Sequence, residues 1–305
     1  MSKIVVVGSM AFDSIETPFG KREKVLGGSA NYFSLSASHF APVQCVSVVG
    51  TDFPADHLEL LKSRNVDTEG VVHGTGETFH WAGKYSYDLN EAHTLDTQLN
   101  VFETFEPVLP ESYRDSDFVF LGNIAPPLQM KVLDQIKSPR FIALDTMNFW
   151  IEGQKKALIE AISRCHAVII NEGEVRQLTE NHNIVEAAET IRKWGPQILV
   201  VKRGEYGSIL FDHGDAFCLP ALPLATVKDP TGAGDSFAGG FIGFLASQAE
   251  FSLSRSVLRK AVVYGSTMAS FTVQDFGPNE LVSCSQKLIE ERYRRFIDLT
   301  SFHIE

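Results

Sequence analysis

Cysteine is scarce in this chain of 305 residues: Cys45, Cys165, Cys218 and Cys284 lie far apart, and no two form a CxxC pair. That scatter argues against a disulfide framework and a cysteine-based zinc site, and it suits a reducing compartment. Basic residues are in deficit as well. The 27 Lys and Arg face 38 Asp and Glu, a formal net charge of -11, with no dense basic run. A sequence-independent grip on nucleic acid needs a concentrated basic face, so no nucleic-acid partner is expected. Long apolar runs are missing too. Ile4–Val7, which follows Met1-Ser2-Lys3, is far too short for a signal-peptide core or a membrane span. The expectation is a cytoplasmic protein with no membrane partner.

Several nucleotide motifs are also absent. There is no G-x-x-x-x-G-K-[ST] loop, so any phosphate would be bound without a Walker lysine. Gly8-Ser9-Met10-Ala11, after the first apolar run, lacks the G-x-G-x-x-G pattern of dinucleotide binding. Asp275-Phe276-Gly277 spells the magnesium triplet of protein kinases, but no His-Arg-Asp loop precedes it.

What is present is ordinary for a globular enzyme: 44% hydrophobic and 21% charged residues. The length suits one large α/β domain with a modest appendage. Short apolar runs predict strands at Ile4–Val7, Gln44–Val49, Phe118–Leu121, Phe141–Leu144, Ala167–Ile170, Ile198–Lys202 and Ser208–Phe211. Helical stretches alternate with them, at about 30–40, 54–64, 129–137, 154–164, 173–179 and 185–194. Continuous apolar strands in βαβα order point to a mainly parallel sheet covered on both faces. Three more helices are expected at about 234–249, 253–271 and 281–296. Two stretches break the rhythm. Residues 77–88 alternate Phe79, Trp81, Tyr85 and Tyr87 with polar side chains, the period of a strand with one apolar face. Residues 11–25 are polar and contain glycine. Both read as parts of a small β-flap, either a hairpin packed on the body or a substrate-covering lid.

The most informative stretch is Asp229-Pro230-Thr231-Gly232-Ala233-Gly234-Asp235-Ser236-Phe237. Glycines there let successive N–H groups turn to one side, and a helix starts directly afterwards. Those amides then sit at the positive end of its dipole, a cradle for a phosphoryl group. Asp235 stands beside it, where a carboxylate can accept the proton of an incoming hydroxyl. Taken alone, Gly-Ala-Gly is better read as a tight turn before a helix that Asp235 caps. Near the N-terminus, Gly27 and Gly28 would let backbone approach a polyol, and Asn31 offers both a donor and an acceptor.

Together these residues resemble the ribokinase-like (PfkB) carbohydrate and nucleoside kinases. Asp229–Phe237 is similar to the signature D-x-T-G-A-G-D-x-F, and Gly27-Gly28-Ser29-Ala30-Asn31 resembles G-G-x-x-x-N. Asn171-Glu172-Gly173-Glu174 fits an N-x-x-E element, and Lys202-Arg203-Gly204-Glu205-Tyr206-Gly207 fits a K-x-G-x-x-G nucleotide loop. The resemblance covers nearly the whole chain in order. It implies a three-layer α/β/α sandwich, a single domain over 1–305, and a lid from segments about 11–26 and 74–105. It implies an ATP-dependent kinase acting on a sugar, polyol or nucleoside, with Asp235 as base and Gly232, Ala233 and Gly234 as anion hole. Asp13, Gly27, Gly28, Asn31 and Asn123 are then the acceptor-side residues, and Lys202, Gly204, Gly207 and Thr231 the nucleotide-side ones. Asn171 and Glu174 would organise Mg²⁺, partly through water, and Asp229 a monovalent cation such as K⁺. A homodimer through the aromatic flap is a further expectation.

Three departures stand out. Pro54 replaces a usual glycine, Pro230 replaces the Thr of ribokinases, and Asp145-Thr146-Met147-Asn148-Phe149-Trp150 replaces D-x-N-x-R, removing an arginine. The rival reading is a catalytically idle sugar- or nucleotide-binding regulator on the same fold.

Overall fold

The structure is a computed structural model and describes residues 2–90, 92–212 and 214–301. The chain opens with β1 (Ile4–Val7), a hairpin of β2 (Ala11–Thr17) and β3 (Gly20–Gly27), and α1 (Ser29–Ala37). Next come β4 (Val43–Val49), α2 (Ala55–Ser63), β5 (Val66–His73), β6 (Phe79–Tyr85) and β7 (Ala92–Gln98). The middle alternates β8 (Phe118–Leu121), α3 (Pro126–Leu133), β9 (Phe141–Leu144), α4 (Asn148–Ser163), β10 (Ala167–Asn171), α5 (Glu172–Thr179) and α6 (Ile184–Lys193). Strands β11 (Ile198–Lys202), β12 (Ser208–Asp212) and β13 (Asp215–Leu219) follow. The chain closes with α7 (Ala233–Ser247), α8 (Arg255–Thr272), α9 (Asn279–Ser283) and α10 (Gln286–Thr300).

Nine strands form the central sheet in the order β13-β12-β11-β10-β9-β8-β1-β4-β5. All pairs are parallel except β11–β12 and β12–β13. Alternate side chains of β1 enter different cores: Ile4 and Val6 pack with α1, α7 and α8, while Val5 and Val7 pack with α3 to α6. That two-sided burial gives the three-layer α/β/α arrangement and explains why the strands read as unbroken apolar runs. A second sheet, β3-β2-β6-β7, joins the expected flap segments, with β2 and β6 parallel.

Sequence reasoning missed β5 and β13. Both are edge strands whose exposed positions break the apolar run. The helix expected over 281–296 is instead two. Cys284 adopts extended backbone, and the Ser285 hydroxyl caps α10 by accepting the Leu288 N–H at 3.3 Å. Helix α4 begins earlier than expected and kinks at Gln154.

Helix α7 is buried from Ser236 to Ala246 and is apolar all round, as befits an internal helix. Small residues let its neighbours approach closely. A Cβ on Gly240 would stand 2.7 Å from the Tyr264 carbonyl of α8, and one on Gly243 3.1 Å from the Ala37 backbone of α1. Phe33 of α1 stacks flat on Phe120 of β8, with centroids 4.3 Å apart and planes at 8°. Both rings are fully buried. Phe33→Ala is therefore expected to cost about 3–5 kcal/mol of unfolding free energy. Urea denaturation checks this, and a loss below about 1 kcal/mol would show that this layer is not tightly packed.

Candidate active site

The parallel strands β1, β8, β9, β10 and β11 all end at one edge of the sheet, the side where open α/β folds hold ligands. Asp13 in β2, shortly after β1, Asn123 and Asp145 just past β8 and β9, and Asn171 and Lys202 at the ends of β10 and β11 lie along that edge. Asn171 and Lys202 are neighbours in register across β10 and β11.

The turn before α7 is built by Gly232, whose φ of 76° is left-handed. A Cβ there would also overlap the ring of Tyr32. Asp235 lies in the first turn of α7, and the turn is closed by the Ala233 N–H, which donates to the Pro230 carbonyl at 3.1 Å. Ser236 anchors the base of that turn. Its carbonyl accepts the Ser36 hydroxyl (2.6 Å) and its hydroxyl accepts that of Thr272 (2.7 Å). Asp229 braces the other side: Oδ1 accepts the Thr231 N–H at 2.9 Å and Oδ2 accepts the Gly277 N–H at 3.4 Å. The Thr231 hydroxyl donates to the phenol oxygen of Tyr85, from β6 of the second sheet, at 3.1 Å.

One lysine serves a crowd of carboxylates. Lys202 Nζ pairs with Asp145 Oδ2 at 2.7 Å, both well buried. The same Nζ lies 2.9 Å from where a Cβ on Gly234 would stand, so its charge is at the anion cradle. Burial, then the Asp145 carboxylate, pushes Asp235 up to about 7, with Lys202 pulling against them. Burial, then Asp229 and Asp235, pushes Asp13 to about 8. Burial and Asp145 push Glu174 to about 8, again opposed by Lys202.

The expected residues divide into two groups. Asp13, Asp229, Asp235, Glu174 and Lys202 come together with the Gly232–Gly234 turn. Asn123 bonds to the start of α4: its Oδ1 accepts the Trp150 indole N–H at 2.8 Å and its Nδ2 points at Met147 Sδ, 3.0 Å away. Asn31 turns its amide donor back to the Gly27 carbonyl, one helical turn earlier. Counting three residues past the glycine pair puts the motif's asparagine position at 32, which is a tyrosine. Tyr32 is the residue sequence reasoning missed. Its hydroxyl is buried without a partner among Asp13, Asp229, Tyr85 and Asp235. Gly27 leaves no room for a Cβ because the Asp13 carboxylate lies against it. Around Gly207 the backbone of Leu219–Ala221 fills the space a Cβ would need, and beside Gly204 stands Asn90 of the second sheet's tip. Asn171 and Glu174 cap α5 reciprocally: Asn171 Oδ1 accepts the Glu174 N–H (2.8 Å), and Glu174 Oε2 accepts the Asn171 N–H (2.9 Å). Phe149, at the position of the missing arginine, is 61% exposed and packs edge-on against Trp150.

The half-buried start of α7, Lys202 and Asp235 thus meet at one end of an α/β sheet. The profile of the pfkB family carbohydrate kinases matches residues 1–283, and the chain belongs to that family. A cytidine kinase of Thermococcus kodakarensis is 32% identical over 249 residues, 79% of this chain and 88% of that protein. A nucleoside kinase of Burkholderia thailandensis, solved in complex with inosine, superposes with a TM-score of 0.79 at 17% identity, covering 96% of this chain and 97% of that one. An Arabidopsis thaliana ribokinase complexed with ribose and ATP gives 0.75 at 20%, covering 96% and 99%. At those identities the two structures show the fold alone. The chain is an ATP-dependent carbohydrate or nucleoside kinase. Among the described residues, no helix is long and apolar enough to cross a membrane.

Two expectations follow from this geometry. An acid whose folded pKa is raised binds a proton that the unfolded chain has released. Its burial therefore costs stability increasingly as pH rises from about 4 to its folded value. Asp13 thus destabilises the ligand-free protein most near pH 8, and Asp13→Asn should raise Tm at pH 8 with little change at pH 5. Half-buried His39 and the more exposed His166, whose pKa values are lowered, act oppositely with pH but equally in both proteins. An equal Tm difference at both pH values would contradict the burial of an ionisable Asp13. Gly232→Ala should lower Tm by several degrees and abolish turnover, because the left-handed turn and the Tyr32 ring both exclude a Cβ. Unchanged melting and kinetics would refute that constraint.

Proposed function

We propose that this kinase moves the γ-phosphoryl group of ATP to a hydroxyl of a nucleoside, with Asp235 as the general base. The observation that carries the reading is Asp235 itself: a half-buried carboxylate on the first turn of α7, poised near pH 7 beside the N–H groups of Gly232, Ala233 and Gly234. A base works best when its pKa lies near the working pH. The nucleoside class is favoured over a free sugar or polyol by the 32% identity to a cytidine kinase. An idle regulator on this fold would have no use for the complete set of Asp235, Asn171, Glu174 and the anion-hole glycines.

In this reading, Asp13 hydrogen-bonds hydroxyls of the acceptor and orients it, and Gly27 and Gly28 let the backbone come close. Asp235 takes the proton of the attacking hydroxyl while the α7 amides and Lys202 hold the phosphoryl oxygens. Lys202, Gly204, Gly207 and Thr231 form the nucleotide side. The residues fit a magnesium ion. Glu174 uses only one oxygen in its cap, and carboxylates outnumber cations here, yet among the described residues no cluster of three ligating side chains forms a metal cage. Such an ion would be held by Glu174 and Asn171 together with water and phosphate, and when bound it neutralises phosphate charge. Asp229, buried and braced by two backbone N–H groups, is our assignment for a K⁺ ligand. The second sheet covers the acceptor as a lid, and its exposed Phe19 and Leu95 support a homodimer through that sheet.

Asp235→Asn should bind ATP as the parent does but lose about 10²- to 10⁴-fold in kcat with cytidine as acceptor. In the parent, kcat/KM should rise with pH and level off above about 7, because Asp235 must be ionised to accept the proton. Parental turnover in Asp235→Asn would remove the base assignment.

A further inference from the structure

Tyr85 belongs to the second sheet, yet its contacts lie with the anion cradle. It ends β6, is buried, and shares a small apolar cluster with Ile15 of β2 and Phe276. The Arg22 guanidinium of β3 lies 5.1 Å over the Phe276 ring. Phe276 immediately precedes Gly277, whose N–H is held by Asp229. Asp229 also holds the Thr231 N–H, and the Thr231 hydroxyl donates to Tyr85. Thr231 in turn immediately precedes Gly232, the cap of α7. The second sheet, the loop after α8 and the phosphoryl-binding turn therefore converge on one carboxylate.

We propose that Tyr85 is a positioning residue for phosphoryl transfer, one that braces the anion-hole turn through Thr231 when the second sheet is docked. The proposal rests on the kinase reading above. Leaving a buried phenol hydroxyl unpaired costs stability, and Tyr85 finds its partner at Thr231, the residue next to the cradle. Lifting the sheet off breaks the Tyr85–Thr231 bond and uncovers Phe276 together. On the Thr231 side the turn then keeps the Thr231 N–H bond to Asp229 but loses its side-chain brace. Acceptor-dependent docking of the sheet would in this way be felt as the geometry of the cradle. Phosphoryl transfer would be favoured once the acceptor is covered, and water would be a poor substitute for it.

The experiment combines kinetics with hydrogen exchange on Tyr85→Phe, Thr231→Val and the double variant. With cytidine and ATP, each single variant should lose about fivefold to tenfold in kcat, the worth of one hydrogen bond. Tyr85→Phe should keep both KM values within about twofold, whereas Thr231→Val, on the nucleotide side, should also raise the KM for ATP. The double variant should be no slower than the slower single, because both remove the same bond. A merely structural Tyr85 would lower Tm without that split between kcat and KM. In the ligand-free protein, amides 231–234 should exchange about fivefold faster in Tyr85→Phe. Unchanged exchange at those amides, unchanged kcat, or multiplicative losses in the double variant would overturn the proposal. If the parent phosphorylates no acceptor, the kinase reading fails, and the exchange measurement still decides whether Tyr85 braces the turn.

Discussion

Helix α7 is an apolar helix enclosed by α1, α8 and the sheet, and an enclosed helix must still satisfy its first four N–H groups. The chain meets that demand by ending the burial at Ser236 and opening the N-terminus into the cleft. Small residues inside the helix fix how deeply it sits, because α1 and α8 touch its glycines backbone to backbone. Ser36 and Thr272, one from each neighbour, then clamp Ser236 directly beside Asp235. The cradle is rigid because the core is packed, and its place is set by the same contacts that stabilise the fold.

Charge is the second consequence. Asp145, Glu174 and Asp235 gather around Lys202, and Asp13 lies by Asp235 and Asp229, so Asp13, Glu174 and Asp235 have their carboxyl pKa values raised by burial and mutual repulsion. This costs stability in the empty protein and produces a site that is receptive to cations and to polarised hydroxyls. It also accounts for an acidic enzyme handling a polyanionic nucleotide. In the proposed mechanism the attraction comes from helix amides and one lysine at the point of transfer, and position 149 carries an exposed phenylalanine in place of the arginine.

Much of this was legible in the sequence, for physical reasons that differ by element. Strands β1, β8, β9 and β11 coincide with their apolar runs because they are buried on both faces. Strands β5 and β13 did not show, since edge positions admit Asp, Glu and Gly. The break between α9 and α10 depends on one serine hydroxyl turning inward, which composition does not reveal. The Gly232–Asp235 turn was readable because its backbone angles demand glycine. Asn31 and Tyr32 show the limit of a motif. One residue of helix rotates the side chain by about 100°, and that turns the amide to Gly27 and the phenol to the site. Tyr85 and Thr231 are separated by 146 positions, so their bond is visible only in the folded chain.

The most direct measurement is a product assay with ATP, Mg²⁺ and K⁺ across cytidine, inosine, ribose, fructose and myo-inositol, following ADP and the mass of the acceptor. The expected result is one ADP per acceptor molecule gaining a phosphoryl group on a hydroxyl, with nucleosides preferred. Protein that fails to bind ATP, or that phosphorylates none of these acceptors while binding it, would contradict the account.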